Sequence, residues 1–424
     1  MLDHPGTAAP RRAADDGGAG RPAVARRPEL DLMRALVVAG LVVFHSAVVF
    51  AAGSSWFVTD SRPEAGFAVF LLWGSLWGMP LLFAVSGMGA CYALRTRSAA
   101  AFARERLSRL LIPFITGLVL LVPPMFYLAR LAQPGFREPY WRFWASFLNI
   151  SAIAAGLLPR GSWTSAGSTF DPAHLWFLYV LLVFSLVLLP LLAFLRGARG
   201  AQVITEVAGF AQRRPLLAVA AAAVPVMAVE AAFGPDVNTG GWERTAYAFP
   251  FLYGFLLASD SRFETALARV RWAALATALP ATAALIAGAG LATSGVETVA
   301  GWGALQGLAG WAWLAAFLGF AAALAARRRI RPAAAPVAGA AVPAARWRLA
   351  ARYATEAVLP FYLLHEPVIV VAAWFIVRWQ APVLTKYLLL VVVSFAATLA
   401  LYELLIRRFP VPRFLFGMKG QRAS

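Results

Sequence analysis

Two of the four histidines in this chain stand inside apolar runs. His45 ends LDLMRALVVAGLVVFH, and His365 sits in LPFYLLHEPVIVV with Glu366 directly after it. An ionisable side chain in such a run is costly, so each marks a functional site by default. A lone buried histidine is as readily a hydrogen-bonded packing residue. Two histidines and a carboxylate in segments of like direction favour chemistry. Imidazole is neutral near physiological pH, so it suits a general base or a covalent nucleophile.

The first run also contains a ruler. Arg34 and His45 are eleven positions apart, which is about 16 Å and three turns of helix. Both side chains therefore return to nearly one face, the arginine at the mouth and the histidine deep. RERLSRLLIPF adds Arg106 and Arg109 at i and i+3, expected to project together at the same end. Guanidinium forks match phosphate, although flanking basic residues that touch lipid headgroups would look the same, and Arg104 is read that way. The arrangement predicts a phosphate-bearing ligand with a thin arm that reaches up to a histidine. Acyl-CoA has that shape.

The elements that position these residues are membrane helices. Of 424 residues, 61% are hydrophobic and 14% charged, against about 45–50% and about 25% in soluble proteins. Ten spans are expected, near 30–52, 67–94, 110–129, 174–195, 215–233, 246–258, 272–292, 300–325, 357–377 and 387–406. The sixth is the weakest, being interrupted by Pro250 and Gly254. Of the 38 Lys and Arg, 29 fall in one alternate set of gaps and termini and 8 in the other. This predicts an all-α polytopic protein with both termini cytoplasmic. The net charge of +18 lies in those gaps rather than in a basic domain, so nucleic acid is not an expected partner.

Residues 1–28 read as a disordered cytoplasmic tail and 29–410 as the membrane domain. Within it, 130–173 is a long extracytoplasmic loop and 327–352 a cytoplasmic Pro/Ala/Arg-rich linker, while 411–424 is a second tail. A signal peptide is the competing reading of the N-terminus, but it has no use for an Arg and a His at fixed depth. The single Cys91 excludes an internal disulfide or a cysteine-rich metal site and reads as a small buried side chain. No metal is expected. Glu403, four residues before Arg407, reads as an ion pair on one helix face.

These motifs resemble the acyltransferase 3 family of integral-membrane O-acyltransferases. The resemblance rests on the Arg-x10-His of the first span, MPLLFAVSGMGACYAL, RERLSRLLIPF, HLWFLYVLL and LPFYLLHEPVIV. The tail YELLIRRFPVPRFLFGMK is similar to the glucan-modifying branch. It covers residues 27 to 419 and implies transfer of an acyl group, acetyl or similar, from cytoplasmic acyl-CoA to a hydroxyl of an extracytoplasmic carbohydrate or glycoconjugate. The resemblance implies a multi-pass protein of the inner (cytoplasmic) membrane, with acyl-CoA as co-substrate and no cofactor. It assigns His45 as the catalytic histidine and Arg34, Arg106 and Arg109 as donor-binding or structural residues. His365 falls in a second histidine motif, which adds His365 and Glu366 to the catalytic candidates. A separate periplasmic partner could receive the acyl group, since some relatives append a domain for that step.

The expected mechanism has His45 as general base, with a covalent acyl-histidine as the alternative. Ser86, Tyr362 or backbone amides could meet the oxyanion. On the outer side His174, Trp176, Trp141 and Trp163 could bind the acceptor, although each Trp also fits an interfacial aromatic belt. The rival function is a proton-coupled or acyl-donor transporter, which buried His and Glu would also suit.

Overall fold

The computed structural model describes residues 28–148, 171–236, 239–289, 296–330 and 341–418. In chain order the helices are α1 (Pro28–Val48), α2 (Ala65–Thr96), α3 (Ala99–Arg106), α4 (Ile112–Leu120), α5 (Val122–Leu131), α6 (Tyr140–Phe147), α7 (Trp176–Val187), α8 (Leu189–Arg196), α9 (Ala198–Arg213), α10 (Pro215–Phe233), α11 (Ala248–Ser259), α12 (Ser261–Ala289), α13 (Val296–Ile330), α14 (Ala341–Ile376), α15 (Val383–Leu401) and α16 (Pro410–Leu415). The described residues form no sheet, only an isolated bridge between Ala51 and Glu64. Lipid offers no partner to a backbone amide, so each apolar segment closes its hydrogen bonds within itself as helix.

Seven helical runs are long and apolar enough to cross a bilayer: α2, α3 to α5 taken together, α10, α12, α13, α14 and α15. α7 and α8 make an eighth if their 51° bend is one broken span. That bend has a cause in Pro190, which lies in the first turn of α8 and cannot donate back to α7. The protein is therefore a multi-pass, all-helical membrane protein. The two remaining segments expected to span, α1 and α11, are helical but short. The apolar part of α1 is Leu32–Val48, and α11 has 12 residues. Pro250 does not break α11, because it occupies the first turn, where a missing N–H costs little.

Helix also extends into both edges of the expected 327–352 linker, through Ile330 and from Ala341. The C-terminal segment packs down: Arg413 is buried and pairs with Glu356 at 3.0 Å. Cys91 is buried as expected, and Glu403 accepts from Arg407 at 3.0 Å. The N-terminal tail lies outside the described residues apart from Pro28.

α2 is the shared wall. It packs against α1 on one side and against α11 and α13 on the other, while α1 also packs on α14. The α2–α11 crossing is closed by two glycines. A Cβ on Gly87 would come within 1.8 Å of the Phe251 carbonyl oxygen, and one on Gly254 within 1.9 Å of that of Ala84. Gly87, which the sequence offered as part of a motif, thus does packing work, as small residues do between membrane helices. Gly87→Ala should destabilise the fold by at least about 1–3 kcal/mol, read as a lower unfolding midpoint in detergent. Gly66→Ala, where a Cβ would meet nothing within 4 Å, should leave that midpoint unchanged.

Candidate active site

The site begins with a backbone irregularity. Pro367 lies inside α14 and has no N–H to give the Leu363 carbonyl four residues back. His174 takes that place, its Nε2 lying 3.0 Å from the Leu363 oxygen. A ring nitrogen can only donate to a carbonyl, so Nε2 of His174 carries the proton. One residue earlier, Tyr362 donates its hydroxyl to the His174 backbone carbonyl. His365 Nδ1 donates to the Tyr362 carbonyl at 2.6 Å, which leaves its Nε2 as the lone-pair nitrogen.

His174 is delivered by strained backbone. Ala173 has φ of +49°, a conformation that L side chains rarely adopt. Its N–H donates to Asp171 Oδ1 at 2.7 Å. Burial pushes the Asp171 carboxyl above its ordinary range, and the Ala173 N–H pulls it partly back.

Three imidazoles then surround one carboxyl. Glu366 Oε2 lies 3.7 Å from His45 Nδ1 and 3.5 Å from His174 Nδ1. The His365 ring centroid is 5.2 Å from that of His45 and 5.4 Å from that of His174. Glu366, His365 and His174 are buried. Four facing atoms have no hydrogen-bond partner: His45 Nδ1, His174 Nδ1, His365 Nε2 and Glu366 Oε2. Because His174 spends its proton on Leu363, its Nδ1 would face a carboxylate lone pair to lone pair. His45 is the member that meets open space. Its side chain is 20% exposed although its Nδ1 is shut off, so the other ring edge, with Nε2, is the accessible one.

His45, His174 and Glu366 line a cavity of about 2000 Å³. Ligand sites commonly occupy about 300–1,000 Å³, so this one has room for two reactants. It runs along α1 from Leu32 to Val48 and is closed opposite by α2 and α13. At the Met33 end it meets Tyr92, Glu264 and Leu324. At the other end it meets the loop Ser54–Thr59, together with Gln133 and Arg378.

Comparison with known proteins fits this arrangement. The family model for the acyltransferase domain of the acyltransferase 3 family matches residues 27–403. The chain belongs to the acyltransferase 3 family. Its members are acyltransferases, so this protein is a membrane O-acyltransferase, and the transporter reading gives way. No curated protein and no solved structure matches the chain.

The remaining expected site residues of this acyltransferase are distributed unevenly. His174 joins the histidine–glutamate cluster instead of standing apart on the acceptor side. Trp176 is buried against Phe83 and Tyr247 and also lines the cavity. Trp141 is 77% exposed on α6, away from the cavity, and Trp163 lies outside the described residues. Ser86 is buried, and neither it nor Tyr362 lines the cavity.

None of the three arginines lines the cavity. Arg34 donates to the Val85 carbonyl at 2.8 Å, and Gly89 leaves the room its guanidinium needs. Arg106 lies over the Phe102 ring at 4.8 Å and within electrostatic reach of Arg34. Arg109 points outward, 3.5 Å from Glu105, which Arg97 also contacts. Arg106 is partly buried and Arg109 exposed, but the two remain within electrostatic reach of one another. Between them a π-helical turn over Leu107–Leu111 widens the helix.

Sequence reasoning passed over Trp56, whose ring is nearly parallel to that of His45, at 21° and 6.1 Å between centroids. No periodicity marks it, because it sits in a loop. It also passed over the buried pair of Asp60 and Lys386.

His45, His365 and Glu366 could hold a metal ion, since their ligand atoms all lie within 4.8 Å of one another. Two imidazoles and a carboxylate form a familiar donor set for zinc or iron. Acyl transfer needs no such ion, so exhaustive EDTA treatment should leave it unchanged. Activity lost to EDTA and restored by Zn²⁺ would make these residues ligands. Glu366→Gln should lower transfer about 10²–10⁴-fold, the range for loss of general-base assistance, measured at matched expression.

Proposed function

We propose that this acyltransferase takes an acyl group from cytoplasmic acyl-CoA and places it on a hydroxyl of an extracytoplasmic carbohydrate or glycoconjugate. In this reading the chain crosses the inner membrane ten times with both termini in the cytoplasm. The observation that carries it is one cavity that passes His45 and continues to both ends of α1. A donor entering beside Met33 and an acceptor entering beside Ser54–Thr59 would meet at His45, the one cavity-lining imidazole among the described residues with an exposed ring edge.

His45 Nε2 takes the proton from the acceptor hydroxyl while its oxygen attacks the thioester carbonyl carbon. The carbon–sulfur bond breaks, and the proton passes from His45 to the departing CoA sulfur. Glu366 holds the Nδ1 side of the ring and stabilises the imidazolium formed in between, as a carboxylate does in a serine-hydrolase triad. His174 and His365 pack around Glu366 and hold it in place. Burial keeps bulk water from competing with the hydroxyl for the thioester. Arg34, Arg106 and Arg109 supply positive charge for the CoA phosphates at the inner end.

His45→Ala should abolish transfer from acetyl-CoA while donor binding survives. Arg106→Ala should do the reverse, weakening donor binding, which should also fall as salt is raised. The measurement is transfer and acetyl-CoA affinity in both variants at equal expression. Near-normal transfer in His45→Ala would sink the mechanism, and an acetyl group trapped on His45 would make it a nucleophile instead. Reporter fusions after Gly20 and after Arg422 should both report cytoplasm.

A further inference from the structure

The loop that follows α1 is built like a lid hinge clamped at three points. Backbone bonds tie its ends: Asp60 N–H to the Val49 carbonyl at 2.8 Å and Glu64 N–H to that of Phe50 at 2.8 Å. The Asp60 carboxylate is buried and accepts from Lys386 Nζ, itself 1% exposed at the start of α15. Arg62 donates to the Ala381 carbonyl in the turn before α15. A buried ion pair between elements 326 residues apart in sequence gives little net stability but fixes one geometry, and losing either partner strands a charge. What this clamp holds in place is Trp56.

Trp56 is half-buried, lines the outer end of the cavity, and presents its ring nearly parallel to the imidazole of His45. Phe57, its neighbour, packs edge-on against Phe126 of α5 at 4.9 Å and so pins the loop from the other side. An aromatic face is electron-rich, and the ring C–H bonds of a pyranose carry partial positive charge on a flat face. Its hydroxyls project around the rim. A sugar laid on the indole would therefore turn a rim hydroxyl toward the adjacent His45. Arg130 and Gln133 line the same end and offer hydrogen-bond donors to the other hydroxyls.

We infer that Trp56 is the stacking platform for a pyranose ring of the acceptor, and that the Asp60–Lys386 clamp positions it against His45. The inference rests on the carbohydrate-acceptor reading above. It makes Trp56 a specificity determinant: cyclic sugars are accepted in preference to acyclic polyols.

The test uses the full-length protein in detergent with acetyl-CoA as donor, and a panel of methyl pyranosides and short glucans, with acyclic sorbitol as comparison. Trp56→Ala should raise the acceptor KM about threefold to tenfold, as expected for one lost aromatic stack. The acetyl-CoA KM should stay unchanged and kcat within about twofold. Trp56→Phe should restore most of the loss. Trp56→Leu, which keeps apolar bulk without a π face, should not, and it serves if the alanine variant fails to fold. Asp60→Asn should shift the same KM in the same direction. An unchanged acceptor KM in Trp56→Ala and Trp56→Leu, with transfer to a pyranoside intact, would overturn the platform and leave the carbohydrate reading standing. A rise in the acetyl-CoA KM alone would also overturn it. Wild-type transfer to no saccharide on the panel would overturn the carbohydrate reading and the platform with it.

Discussion

A carboxyl group enclosed by three imidazoles, away from water, has few ways to balance its charge. Glu366 sits in that position, and much of the local architecture follows from it. Each histidine around it has one nitrogen committed to the protein or shut off from the cavity, and the committed nitrogens fix which ring atoms are left to face the carboxyl. His174 is anchored to the Leu363 carbonyl and His365 to that of Tyr362. Only His45 keeps a nitrogen for a substrate.

The anchors come from proline. In water a carbonyl freed by Pro367 would take a solvent molecule. Inside a membrane bundle it must find a protein donor, and His174 is that donor. The same residue type bends the α7–α8 span and leads into α11 at a point where its missing N–H is harmless. These helices are thus interrupted where an interruption is used.

The histidine–glutamate pairing was half legible in the sequence. His45, His365 and Glu366 stand out because ionisable groups in apolar runs are expensive. His174 reads as an outer-loop residue, since its neighbours are a long loop and a Trp. Its real role depends on a carbonyl 189 residues away. The signal that could have found it is the proline four residues after Leu363, which promises an open carbonyl but does not say who fills it. The apolar helices were readable from hydropathy: seven are long enough to span, or eight if α7 and α8 are one, while α1 and α11 are helical but shorter than hydropathy promised. The widened turn between Arg106 and Arg109 was not legible, since it leaves no trace in a count of residues. Trp56 was out of reach altogether: its position depends on a clamp made by a Lys far along the chain.

The glycine-notched crossing of α2 and α11 bears on how substrates come and go. With each backbone seated in the other's notch, the two helices can neither slide nor roll past one another without collision. They behave as one welded beam running through the molecule. A carrier that rocks between two faces needs its halves to swivel, and a weld through the middle denies that motion. Substrates then come and go past a wall that moves as one piece or not at all: a fixed tunnel rather than a rocking gate.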